Sequence, residues 1–168
     1  AKHMGLPINC VICGCNKNSG VWDLLHRGEF ATNASPVRTD LPELDISQPE
    51  GLECLIYETL GVTEVGRYLD TCARHGTYRL SEEDLRSLNQ GMLAAVNGTD
   101  RVDSVIGSIY KANAYVTDPL TAVSYSALQD YRARTGENRY TLLMARSSPL
   151  FAAGRIASAI GSSQEKLK

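Results

Sequence analysis

The stretch that most constrains the fold is INCVICGC, residues 8–15. It is a continuous apolar run of strand length, the pattern of a strand covered on both faces, as in parallel sheets flanked by helices. It stops at Asn16, Lys17 and Asn18. A buried parallel strand that ends on polar residues delivers them to the edge where open α/β sheets bind ligands. Asn16 and Asn18 are therefore candidates to present amide groups to a phosphate or carboxylate. An asparagine turn leading into the next helix accounts for them equally well.

Cys10, Cys13 and Cys15 in the same run have a spacing superficially like that of metal ligands. On a strand, Cys13 and Cys15 share one face while Cys10 points the other way. Cys54 and Cys72 are isolated, so no four-ligand set assembles. Core packing is the better account, with no metal expected. Five cysteines form an odd count unlike a secreted disulfide framework, which favours a reducing, cytoplasmic setting. The N-terminus has the features of neither a signal peptide nor a transit peptide.

Downstream the pattern is helical. GVWDLLHRG predicts a helix closed by Gly28. Residues 29–50, with three prolines, read as an irregular excursion. LECLIYETLG and VTEVGRYLDTCARHG predict two helices, the second with Val65, Tyr68, Leu69 and Cys72 on one stripe. SEEDLRSLNQGMLAAV predicts one helix capped by Ser81, with Leu85, Leu88, Met92 and Val96 buried. Thr99 caps the next, with Val102, Val105, Ile106 and Ile109 inward.

Asp118 precedes Pro119, the arrangement of an N-cap and first helical residue, before LTAVSYSALQDYRARTG. RYTLLMAR predicts a second buried strand, and SPLFAAGRIASAIG a last helix. Ser147 and Ser148 read as helix caps, or as hydroxyls that reach a cofactor at a strand end. The fold class is α/β, with few parallel strands flanked by many helices. Two strands make a poor sheet, so part of the sheet is missing from this reading.

Net charge is −2 over 168 residues with the signs interspersed, so no basic stripe favours nucleic acid. No run of 18 apolar residues predicts a membrane span. Nucleophile elbows, Walker loops and dinucleotide fingerprints are absent from the sequence.

Taken in order, several segments resemble the C-terminal part of threonine synthase, a pyridoxal-phosphate enzyme of the tryptophan-synthase-β structural class. That family reads approximately AKKMGLPI, then I-x-A-T-N-x-N-D-x-L, where this chain has AKHMGLPINCVICGCNKNSGVWDLLHRGEF. Its SPSMDI and NLERLLYELLG segments resemble SPVRTDLPELDI and GLECLIYETLG. Its DPHTAVG resembles DPLTAVS, its YRxETG resembles YRARTG, and its LATAHPAKF resembles LMARSSPLF. The resemblance implies a fold-type II pyridoxal-phosphate domain over residues 1–160 with a polar tail at 161–168. It implies conversion of O-phosphohomoserine and water to threonine and phosphate, a lyase step of threonine biosynthesis.

The partner implied is a small phosphorylated amino acid, with the remaining N-terminal part of the same enzyme. In the family the Schiff-base lysine lies far upstream of the matching segment, so the resemblance implies that it precedes Ala1; Lys2, Lys17, Lys111, Lys166 and Lys168 lack an apolar pocket context, and the chain alone is expected to be inactive. Substrate contacts fall on Asn16, Asn18 and Asp118, and cofactor contacts on Ser147 and Arg146, with Asp45 and Asp118 supporting the loops. Arg146 stands where the family has a threonine at the pyridine nitrogen, Leu120 where it has a histidine, and QPEGLE where it has Ser-Ser-Asn. Those departures leave open a non-catalytic relative that binds a ligand or partner.

Overall fold

The structure, a computed structural model, describes residues 2–98 and 100–162. Strand β1 (Val11–Cys15) pairs with β4 (Met92–Val96). The Val11 amide donates to the Gly91 carbonyl at 2.9 Å and the Asn97 amide to the Cys15 carbonyl at 2.9 Å. Both chains thus advance together, and the pair is parallel. Full burial was expected of β1, but Val11 is exposed and only Cys15 is fully buried. A two-stranded sheet has too little partner surface to cover both faces.

Between these strands lie α1 (Gly20–Arg27), β2 (Glu29–Ala31), α2 (Leu52–Leu60), α3 (Val62–Ala73), β3 (Thr77–Arg79) and α4 (Glu82–Asn89). After β4 follow α5 (Asp100–Asn113), α6 (Pro119–Thr135) and α7 (Ala153–Ile160). The structure corrects the helix expected over 81–96. Ser81 does cap it, accepting the Asp84 amide at 3.1 Å, but it ends at Asn89. Gly91 breaks the run and β1 recruits Met92–Val96 as a strand, leaving Val96 exposed. The excursion is also not wholly irregular, because β2 pairs antiparallel with β3, placing Phe30 opposite Tyr78.

Two compact units divide the chain. Unit one comprises Ala1–Cys13, Asn18–Val37 and Asp45–Ala95. Its core is Leu24, Phe30, Leu52, Ile56, Tyr68 and Tyr78, with the Tyr68 and Tyr78 rings edge to face at 5.3 Å. Leu69, expected in this stripe, is half exposed. A single residue turns the α3 face, so Tyr68 takes the inward position and Leu69 lies beside it. Gly28, at φ 69°, closes α1 as the sequence indicates.

Unit two comprises Gly14–Lys17, Arg38–Leu44 and Val96–Lys168. Its core joins Leu41 to Val102, Val105, Ile106 and Ile109 of α5, to Leu120, Ala122 and Val123 of α6, and to Ile156 of α7. The four α5 positions are those its periodicity selects. The Thr99 cap lies outside the described residues, as does the tail beyond Ser162.

Residues 139–146, expected as a buried strand, form none. They run without regular structure, and Tyr140, Leu142 and Met144 face solvent. The apolar pattern is a strand's, but no described strand pairs with it.

Candidate functional site

Within unit two, the polar end of β1 and the segment before Ser147 both rest on the start of α6. Gly14 brings β1 so close to this helix that a Cβ there would lie 2.9 Å from the Val123 carbonyl oxygen and 3.0 Å from Ser124 Cα. Two residues later Asn16 is buried at 2 % exposure. From the other direction, the Arg146 amide donates to Thr121 Oγ1 at 2.9 Å. One helix end therefore organises both stretches.

Asp118 makes that end rigid. Its Oδ1 accepts the Leu120 and Thr121 amides, each at 3.0 Å, and its Oδ2 accepts the Thr121 hydroxyl. The carboxylate satisfies orphan amides at the positive end of the helix dipole. Thr121 then uses its oxygen twice, donating to Asp118 and accepting from Arg146. Asp118 is 2 % exposed with both oxygens engaged inside the fold, an arrangement suited to holding the loop.

Asn16 is held from a distance in sequence. Its Nδ2 donates to Thr39 Oγ1 at 3.1 Å, and that same oxygen accepts the Leu41 amide at 3.1 Å. Leu41 is anchored in the core. Arg155 fastens the loop further, pairing with Asp40 at 2.8 Å and Asp103 at 2.5 Å. Burial works to lower the Arg155 pKa, but the Asp103 bond and both carboxylates outweigh it and raise it. The cation is thus held charged.

In unit one, Asn18 closes a second clasp. Its Oδ1 accepts the Val37 amide at 2.7 Å, while Nδ2 donates to the Val37 carbonyl at 2.9 Å and to Asp45 Oδ1 at 3.0 Å. The amide thus ties both ends of the excursion segments that belong to this unit.

Ser147 is half-buried. Ser148 caps the following 3₁₀ turn, Pro149–Ala152, through the Leu150 amide at 3.4 Å. The Arg146 side chain is exposed. Asn97, at the end of β4, is buried with Nδ2 unpaired while Oδ1 accepts from Arg101 at 3.1 Å. Sequence reasoning missed Asn97 and Gly14. A glycine inside an apolar strand is the signal that would have found the second.

Among the described residues, no group of three or more His, Cys, Asp or Glu side chains could hold a metal, and no helix is long and apolar enough to cross a membrane. No family model matches the chain. Threonine synthase of Corynebacterium glutamicum is 25% identical over 169 residues, covering 96% of this chain and 34% of that protein. Human threonine synthase-like 1 is 26% identical over 130 residues, 74% of this chain and 17% of that one. Among solved structures, threonine synthase from yeast superposes with a TM-score of 0.82 at 19% identity, over 98% of this chain and 36% of that chain. The pyridoxal-phosphate-bound threonine synthase from Brucella melitensis gives 0.79 at 23% identity, over 96% and 34%.

The chain has the fold of part of a threonine synthase. It spans about a third of the length of the Corynebacterium threonine synthase and less of threonine synthase-like 1. The threonine synthase likeness covers both units, because it extends over nearly all of the residues. Of the lysines whose side chains are described, Lys17 and Lys111 are both exposed.

Proposed function

We propose that these residues form the C-terminal portion of a threonine synthase-like, pyridoxal-phosphate-dependent enzyme. The reaction is conversion of O-phosphohomoserine and water to L-threonine and phosphate, in the cytoplasm. The observation that carries the reading is the convergence of β1's polar end and the Arg146–Ser147 segment on the first turns of α6. That convergence gives a ligand two polar walls on one rigid support.

The cofactor fits this chain in part. Pyridoxal phosphate, when bound, supplies an electron sink for carbanion chemistry at the substrate. Ser147 supports the fit, because its hydroxyl can donate to or accept from a pyridine nitrogen. Arg146 engages Thr121 through its amide and keeps its guanidinium exposed, which favours the serine for that contact. The lysine that would carry the cofactor belongs to the remainder of the enzyme. Asn16, fixed by Thr39, orients an anionic substrate group, while Asn18, its amide engaged by Val37 and Asp45, holds the excursion. Asp118 contributes by fixing the α6 start against which the substrate loops rest.

A second reading, a non-catalytic relative that binds a ligand, draws on Leu120. It stands where the family has a histidine, and it packs into the unit-two core. A chimera in which residues 1–168 replace the matching third of the Corynebacterium threonine synthase separates the two. Phosphate release from O-phosphohomoserine, reduced at least about tenfold by Ser147→Ala or Asn16→Ala, is expected. A folded chimera that binds the cofactor without releasing phosphate would support the non-catalytic reading.

A further inference from the structure

Asn16 presents its amide in one direction only if something stops that amide turning, because the terminal torsion of an asparagine is broad and roughly two-fold. In unit two the restraint is passed on from α7. Asn16 Nδ2 donates to Thr39 Oγ1 at 3.1 Å, and the Leu41 amide donates to the same oxygen at 3.1 Å. Between these two residues, Arg155 grips Asp40 at two points. Its Nη1 lies 2.8 Å from the Asp40 carboxylate and donates to the Asp40 carbonyl at 3.4 Å. Its Nε donates to Asp103 of α5 at 2.5 Å. A planar guanidinium holds two carboxylates on different nitrogens in a fixed geometry, which one ammonium on a flexible stem does not reproduce. Asp103 is 52 residues from Arg155 in sequence and Asp40 is 115, so the fork ties α5 and the Thr39–Leu41 turn to α7.

Stability alone is a poor reason for this wiring. The Asp40 and Asp103 side chains are 50% and 54% exposed, and ion pairs open to water contribute little to folding. Leu41 already anchors the turn in the core. What the fork adds is geometry, because it fixes the Asp40 backbone and with it the place of Thr39 Oγ1. We infer that Arg155 is a positioning residue that sets the Asn16 amide through Asp40 and Thr39. The inference rests on the proposed function for what Asn16 contacts. It extends the site to a side chain on α7 that acts on substrate only through other residues.

Two readouts separate positioning from simple support. In the 168-residue chain, Arg155→Met should leave the urea midpoint nearly unmoved. The Leu41 amide should then exchange at least about tenfold faster, and the Asn16 side-chain amide resonances should shift. In the chimera, the same change should raise KM for O-phosphohomoserine at least about threefold, with kcat within about twofold of the parent. Thr39→Val should copy that effect, and Thr39→Ser, which keeps the hydroxyl, should restore the parental KM. In the Asn16→Ala background, Arg155→Met should change KM by less than about twofold, since the side chain it sets is gone. Arg155→Lys is the second variant if Arg155→Met does not fold, with the same pattern expected at smaller amplitude. Equal KM effects with and without Asn16 would overturn the inference, as would a loss confined to kcat. Leu41 and Asn16 amides unchanged by either Arg155 substitution overturn it as well. A folded chimera that releases no phosphate, while Arg155→Met still frees those amides, keeps the positioning role and refutes the enzymatic reading. Phosphate release that depends on Asn16 but not on Arg155 leaves the enzyme and overturns the positioning role.

Discussion

Replacing Gly14 by alanine tests the support on which both polar stretches depend. In an ordinary strand the change would stabilise, because alanine loses less backbone entropy on folding, by about 0.4–1 kcal/mol. Here the added Cβ would sit 2.9 Å from the Val123 carbonyl oxygen and 3.0 Å from Val123 C and Ser124 Cα. Those are backbone atoms of α6, which cannot swing aside as a side chain does. Either β1 or the helix must shift, at a cost of about 1–3 kcal/mol typical of overpacking. Gly66→Ala is the control: it lies in α3, and its Cβ meets nothing within 4 Å. Alanine there should stabilise by about 0.5–1 kcal/mol. Urea unfolding followed by circular dichroism should move the two midpoints in opposite directions at unchanged slope. A Gly14→Ala protein as stable as its parent, or more so, would refute the close approach.

Asp118→Ala removes the acceptor of two amides and the Thr121 hydroxyl, and should cost about 2–3 kcal/mol in the same assay, with Asp118→Asn retaining part of it. Asn18→Ala should speed proteolysis between Val37 and Asp45, read by mass spectrometry of early cleavage products. Glu64 accepts from Arg67 at 2.5 and 3.1 Å, which holds its carboxyl below the usual 4.5 against opposing burial, and Tyr78 adds a bond at 2.9 Å. Its contribution is therefore complete above about pH 4.5 and disappears as pH falls through the lower folded value. Glu64→Gln should flatten that acid limb in thermal melts taken from pH 6 to 3.

Much of unit two is legible locally. Asp118-Pro119 marks the α6 start, and the apolar spacing of α5 names its four buried residues. Met92–Val96 misleads because five apolar residues continue a helical stripe as well as they make a strand, and only pairing with β1 settles which. Tyr140–Met144 misleads in the opposite way: the apolar run is of strand length, yet among the described residues no strand pairs with it and Tyr140, Leu142 and Met144 stay exposed. For the site, the end of β1 flags Asn16 and Asn18. Their real anchors, Thr39 and Asp45, lie 23 and 27 residues away, a distance over which no local pattern reports contact. Thr121's two-way hydroxyl is hidden for the same reason, since Arg146 is 25 residues downstream.

Borohydride trapping of pyridoxal phosphate, with mass spectrometry of the reduced adduct, tests the central claim most directly. The account predicts no stoichiometric adduct on the 168-residue chain. It predicts one on the chimera, at a lysine of the remainder. Stoichiometric trapping at Lys2, Lys17, Lys111, Lys166 or Lys168, or a folded chimera with no adduct at all, would contradict it.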